Sequence, residues 1–561
     1  VTFIAHHFVE VILSMSLGLW VWLKRYRLAF IQEKLQALSS RRHVRWSLCA
    51  LLVLFYIAGY LTRPAFYECY HGGSLGDNYN YAGSGISTPS YYTPQHFYFP
   101  WVPVQVLQGL LHLGWLHRQQ PDFLERAYLL LSLPGRLFAG LGLLVFFFTL
   151  RRSWNLDFMA AWAGTFFLMT SFGYWYWSLQ SNAMGTLLAF SLCAYAAITY
   201  ALRRRELHAY LLAAFLLSLC VFIHISCYYW VVGASVGLLT VCLYRWRHGH
   251  PQAGTQACIF FMIAGMMGLL FYVLSAHAYG IWKPFRLIER LADYALLGRF
   301  QANSEFVKRL ITGTVSEHLS LILGLLQSGE KSALEKLLIG VLLGLIFAIA
   351  LSWLQIGWQR FRSSPVRTSF WVLGCAWGLC VIGFSLRLTW PQYYVSLIPG
   401  AILLILGLSL NSEIRNEQNF ALPLLVATAC VMFILNGFGS ANVFAGEHVE
   451  THRVYRTLSM VQSISGARHA LFVGPKDTYP YNFNSLTAYY HQPGKFQSIT
   501  WIDPVLYKDL LATVGKQNCL ILDAATYSDI QNLKLRATEW QTELVLTKSP
   551  DFPKVYVLTK L

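Results

Sequence analysis

Charge is what this sequence has least of. Only 12% of its 561 residues are Asp, Glu, Lys or Arg, while 56% are hydrophobic and 16% aromatic. A soluble globular chain carries about 25% charged and about 45–50% apolar residues, so this chain lacks the polar surface that would keep it dispersed in water. The mean hydropathy of +0.45 agrees. These shortages exclude a soluble enzyme, a disordered protein and a nucleic-acid reader. Familiar chemical signatures are missing too. The polar C-terminal tail holds no Gly-rich phosphate loop, no metal-spaced Cys/His set and no G-x-S-x-G.

What charge there is follows a pattern. The formal net charge is +17. From Val443 onward, 12 Lys/Arg face 10 Asp/Glu, so about +15 of the excess lies in the hydrophobic part. There it forms short runs between apolar segments: Arg151-Arg152, Arg203-Arg204-Arg205, Arg245 with Arg247, and Arg360 and Arg362 with Arg367. That is the positive-inside distribution of a polytopic membrane protein.

A helix crosses the hydrocarbon core with about 20 apolar residues. Eleven windows qualify: 47–62, 127–150, 156–177, 182–202, 208–224, 227–244, 257–279, 336–357, 369–386, 393–411 and 420–437. With the arginine runs in the cytoplasm, the first span runs outward and the rest alternate without conflict. The larger segments 63–126, 280–335 and 438–561 then face outward. Residues 3–23 are a possible twelfth span, weakened by His6, His7 and Glu10, and 24–45 read as a basic cytoplasmic helix. The expected fold is therefore a polytopic α-helical membrane protein with an N-terminal segment 1–45, a transmembrane domain 46–437 and a small extracytoplasmic α/β domain 438–561. In that tail, 470–473, 520–522, 544–546 and 555–558 are short β-type runs, and Asp551-Phe552-Pro553 marks a hairpin turn between the last two.

Most of the 11 cysteines fall inside spans, where a thiol acts as a small apolar side chain. Cys69 and Cys519 lie outside them, either bridged or as two separate thiols.

The first outer loop carries the richest chemistry. Between residues 64 and 121 the acidic residues are Glu68 and Asp77, and Asp77 stands in Gly76-Asp77-Asn78-Tyr79. A carboxylate beside lipid and aromatic rings gains basicity by desolvation, which suits a general base; the alternative is an Asx-turn after Gly76. His96, in Pro94-Gln95-His96, either positions a substrate or packs its loop, and 101–115 reads as a helix on or dipping into the outer surface. His224, in Phe222-Ile223-His224, faces a cavity or sits in an interfacial aromatic belt. Arg387, a lone basic residue in an outer turn, either clamps a phosphate or snorkels to ordinary lipid. Lys283 and Arg286, in Trp282-Lys283-Pro284-Phe285-Arg286, open the second outer loop and are further phosphate candidates.

Taken in order and sidedness, four features resemble the GT-C superfamily of integral-membrane glycosyltransferases, in particular bacterial mannosyltransferase-like members. They are Gly76-Asp77 after the first span, the Pro94–Trp115 stretch, the Tyr174-Trp-Tyr-Trp177 span end and His224 before an aromatic helix. The resemblance implies a polyprenyl-phosphate sugar donor and a lipid, glycan or protein acceptor. It implies Asp77 as base on the acceptor hydroxyl, and Arg387, Lys283 and Arg286 on the departing phosphate. His96, His224, Tyr79 and Glu68 would line the cavity. No D-x-D stands in the first loop, so no metal or other cofactor is expected, and a bound divalent cation has no support. The implied location is a bacterial inner membrane, with membrane lipids and no nucleic acid as partners. A lipid or solute transporter (flippase), a lipid-linked glycan polymerase or ligase, and a non-catalytic envelope component are the competing readings. Arg136, early in the second span, is the one mid-span charge that fits transport.

Overall fold

The computed structural model describes residues 8–63, 106, 109–115, 123–180, 184–224, 227–278, 310, 333–355, 367–386 and 421–437, and five strands between 469 and 560. The helices are α1 (Phe8–Leu23), α2 (Arg25–Ser40), α3 (Arg42–Tyr56), α4 (Phe123–Phe148), α5 (Phe158–Thr170), α6 (Phe172–Ser178), α7 (Met184–Arg204), α8 (Leu207–Ile223), α9 (Tyr228–Arg247), α10 (Gln252–Ala278), α11 (Ala333–Gln355) and α12 (Arg367–Leu386). A further apolar helix, α13, spans Ala421–Gly437. Short π-helical turns extend α3 (Ile57–Leu61) and α4 (Thr149–Ser153).

α4 and α10 are apolar on both faces, and that decides their solvent. On α4, Ala139, Leu143, Phe146 and Leu150 are buried, while Leu137, Leu141, Leu144 and Phe148 are exposed at helical spacing. Met262, Met266 and Leu269 expose a similar stripe on α10. Exposed apolar stripes of this length are stable against lipid and not against water. Among the described residues, 5 helices are long and apolar enough to cross a membrane. The chain is an integral membrane protein.

Hydrogen bonds sort the helix ends into two groups. At one end the arginines cap helix carbonyls. Arg203 donates to Arg152 O (2.6 Å) and Ser153 O (2.8 Å), and Arg245 Nη2 donates to Leu202 O (3.0 Å). A cation over a helix C-terminus satisfies orphan carbonyls and opposes the negative end of the dipole. Asp157 caps α5 by accepting from Ala160 N at 2.8 Å, and its other oxygen accepts from Gln36 of α2 at 2.7 Å. This arginine-rich end gathers the start of α3, α5, α8, α10 and α12 with the finish of α4, α7 and α9. The opposite, loop end gathers the finish of α3 and α6 with the start of α4 and α7.

The window 156–177 departs from the expected single span. It breaks at Ser171 (ψ 131°) into α5 and α6. A break in an apolar bundle strands backbone carbonyls, which must find donors inside the protein. Tyr60 Oη donates to Met169 O at 2.7 Å, and Asn436 Nδ2 donates to Thr170 O.

Two helix pairs pack through glycine. In α9 and α12, a Cβ added to Gly233 would stand 2.6 Å from Cys375 O, and one on Gly237 would stand 2.9 Å from Val372 Cα. In α1 and α11, small residues recur four apart on both sides, as Ser14 and Gly18 against Gly340 and Gly344. A Cβ on Gly18 would stand 2.5 Å from Gly344 O, and one on Gly344 would stand 2.8 Å from Ser14 O. Such close backbone approach is how apolar helices associate where lipid is as apolar as they are. Ser14 lies by Gly340 and Gly18 by Phe347, so the two helices run parallel.

The strands β1 (His469–Val473), β2 (Ser498–Ile502), β3 (Cys519–Asp523), β4 (Trp540–Val545) and β5 (Val555–Lys560) form one sheet of order β2-β1-β3-β5-β4. β1 pairs in parallel with β2 and β3, while β5 pairs antiparallel with β3 and β4. The inner strands β1 and β3 carry the near-continuous apolar runs expected of strands paired on both sides. Cys69 lies outside the described residues, while Cys519 begins β3.

Candidate active site

The loop end of the bundle is built around the π turn that finishes α3. Its i→i+5 bond, Thr62 N to Ile57 O at 3.0 Å, widens the helix and leaves nearby carbonyls without helical donors. Side chains from two other helices supply them. Trp175 Nε1 of α6 donates to Gly59 O at 2.8 Å. Arg136 of α4 donates through Nη1 to Tyr60 O at 2.8 Å and also to Arg63 O.

Arg136 is 0% exposed. Its Nε donates to Ser132 Oγ, one turn earlier, at 2.9 Å. Tyr56 Oη in turn donates to the Arg136 carbonyl at 2.7 Å, and Tyr174 Oη donates to Ala139 O at 2.6 Å. The rings of Tyr56 and Tyr60 stack at 5.4 Å, and Tyr174 meets Tyr60 edge-on at 6.3 Å. α3, α4, α5 and α6 are thus tied by side-chain-to-backbone bonds at the point where the chain leaves the bundle for the segment 64–122. This rigid, aromatic and cationic platform can orient a substrate and support an anion.

Of the residues singled out from sequence, His224 is described. It is 1% exposed and extended (φ −155°, ψ 128°) between α8 and α9. Its N–H donates to Cys220 O at 3.1 Å, and its carbonyl accepts from Cys227 N at 3.2 Å. Nearby, the buried Trp230 ring lies 5.0 Å from Tyr195. Glu68, Asp77, Tyr79, His96, Lys283, Arg286 and Arg387 lie outside the described residues. Of the stretch 101–115, residues 109–112 form a helical turn, after which Leu113 and Trp115 are exposed. Among the described residues, no three His, Cys, Asp or Glu side chains converge as a metal site requires. Sequence reasoning assigned Arg136 to no site, although a lone cation in an apolar run was the available signal.

No family model matches the chain, and no curated protein matches it. Solved structures do. ArnT from Cupriavidus metallidurans bound to undecaprenyl phosphate aligns with 91% of this chain and 97% of its own, at 13% identity and a TM-score of 0.53. Its apo form aligns over the same shares at 12% identity and a TM-score of 0.49. The arabinofuranosyltransferase AftD from Mycobacteria aligns with 93% of this chain and 40% of its own, at 12% identity and a TM-score of 0.42.

The chain shares the overall fold of ArnT. The likeness covers nearly the whole sequence. At this identity it fixes the fold and leaves the chemistry to the residues.

Proposed function

We propose that the protein is a membrane glycosyltransferase that moves a sugar, a hexose of the mannose kind, from a polyprenyl-phosphate donor to an acceptor hydroxyl on a lipid, glycan or protein. The observation that carries this is the GT-C fold over 91% of the chain, shared with a protein whose structure was determined bound to undecaprenyl phosphate. A sugar on a lipid phosphate already has a good leaving group. The enzyme must orient the acceptor, take its proton and stabilise the departing phosphate. Asp77 takes the proton, and Arg387, Lys283 and Arg286 hold the phosphate. His96, His224, Tyr79 and Glu68 line the cavity. This chemistry calls on no cofactor.

We assign the loop end to the extracytoplasmic side and the arginine-rich end to the cytoplasm, in a bacterial inner membrane. α12 and α13 both start at the arginine-rich end, and we assign the apolar window 393–411 as the crossing between them. Because α1 runs parallel to α11, its N-terminal end is assigned to the outside with the 438–561 domain, making twelve crossings.

Arg136 favours one second reading, transport, since ionisable residues inside a membrane often line a pathway. Its donors, however, go to carbonyls at the rim of α3. Purified protein in nanodiscs, given a polyprenyl-phosphate sugar and an acceptor, should yield a glycosidic product. Lipid or solute movement without one would establish transport instead.

A further inference from the structure

Arg136 commits two of its three guanidinium nitrogens and leaves the third. Nε holds Ser132 Oγ, and Nη1 holds the carbonyls of Tyr60 and Arg63. Nη2 is buried and, among the described residues, has no hydrogen-bond partner. All three acceptors are neutral, and no carboxylate pairs with Arg136 among the described residues. The C-terminal end of α3 offsets part of the charge through its dipole. A buried guanidinium nitrogen with two unused hydrogens still carries a large desolvation penalty, which an anionic oxygen relieves best.

We propose that Arg136 is an oxyanion-binding residue whose Nη2 takes a phosphate oxygen of an isoprenoid-phosphate lipid at the loop end of the bundle. The identity of the lipid rests on the glycosyltransferase reading; the need for an anion does not. One side chain divides the labour. Nε and Nη1 fix the guanidinium to the π turn so that Nη2 is presented in a set position. A lysine, with its single nitrogen, cannot both hold the carbonyls and receive the phosphate with the same geometry.

The test uses the full chain in nanodiscs, with undecaprenyl phosphate as the probe and undecaprenol, its uncharged alcohol, as the reference. Arg136→Gln keeps an amide donor for the carbonyls and should weaken undecaprenyl phosphate binding by about tenfold to a hundredfold, while undecaprenol binds both proteins alike. If the glutamine variant fails to fold, Arg136→Lys decides, with about a tenfold loss expected. Unchanged affinity for the phosphate lipid in a folded variant overturns the proposal. So does inorganic phosphate competing away the lipid while the variants still bind it normally, because the anion would then lie elsewhere. A carboxylate of the chain as the true partner would show as strong coupling of Arg136→Gln with Glu68→Gln or Asp77→Asn in thermal unfolding, with lipid affinity intact, and this too overturns it. Binding needs no turnover. A wild-type protein that binds the lipid through Arg136 and makes no glycosidic product refutes the glycosyltransferase reading and leaves this site standing.

Discussion

Tyr60 shows how much a single hydroxyl carries in this bundle. It is 1% exposed, and its oxygen satisfies Met169 O just before the chain breaks at Ser171. Tyr60→Phe leaves that carbonyl buried and unpaired, which costs about 1–3 kcal/mol. A lowered thermal midpoint in detergent, with the phosphate lipid still bound, is the expected result. At Arg387 the expectation concerns binding: Arg387→Ala should weaken the donor by about tenfold or more if the guanidinium clamps a phosphate. Unchanged affinity, measured by titration in nanodiscs, would assign Arg387 to ordinary lipid headgroups. Arg136 was visible in the sequence as an exception to an apolar run. Its partners were not visible, since Tyr60 and Arg63 are joined to it by backbone carbonyls that no residue pattern encodes.

At the scale of elements, hydrophobic length was the readable quantity. Windows such as 182–202 and 208–224 correspond closely to Met184–Arg204 and Leu207–Ile223 because about 20 apolar residues bounded by arginines leave little choice. Length could not reveal the break at Ser171, which depends on donors from α3 and α13. β2 was missed because its apolar residues, Ile499, Trp501 and Ile502, form no continuous run. The pairing of α1 with α11 is legible only in retrospect, as two small-residue repeats far apart in sequence. It makes a sharp contrast between two glycines. Gly344→Leu would push a side chain into Ser14 O and should part the two helices, lowering the unfolding midpoint and exposing α1 to protease. Gly374→Leu on α12, where an added Cβ meets nothing within 4 Å, should leave the midpoint nearly unchanged. Equal effects at the two positions would contradict the packing described.

For the whole molecule, the two ends of the bundle differ in what they hold. The arginine-rich end closes on itself through caps such as Arg203 on Ser153 O, while the loop end gathers Tyr56, Tyr60, Arg136 and Trp175 at the residues that precede Asp77 in the sequence. Chemistry and topology are therefore one claim: reporters fused before Val1 and after Leu561 should both be active on the extracytoplasmic side, and a cytoplasmic signal from either would break the assignment. The most direct measurement is sugar transfer from a polyprenyl-phosphate donor by the purified protein in nanodiscs, compared between wild type and Asp77→Asn. The account predicts a glycosidic product from the wild type, a rate lower by about a hundredfold or more in the variant, and donor affinity nearly unchanged. Wild-type turnover in Asp77→Asn, or no glycosidic product from either protein, would contradict it.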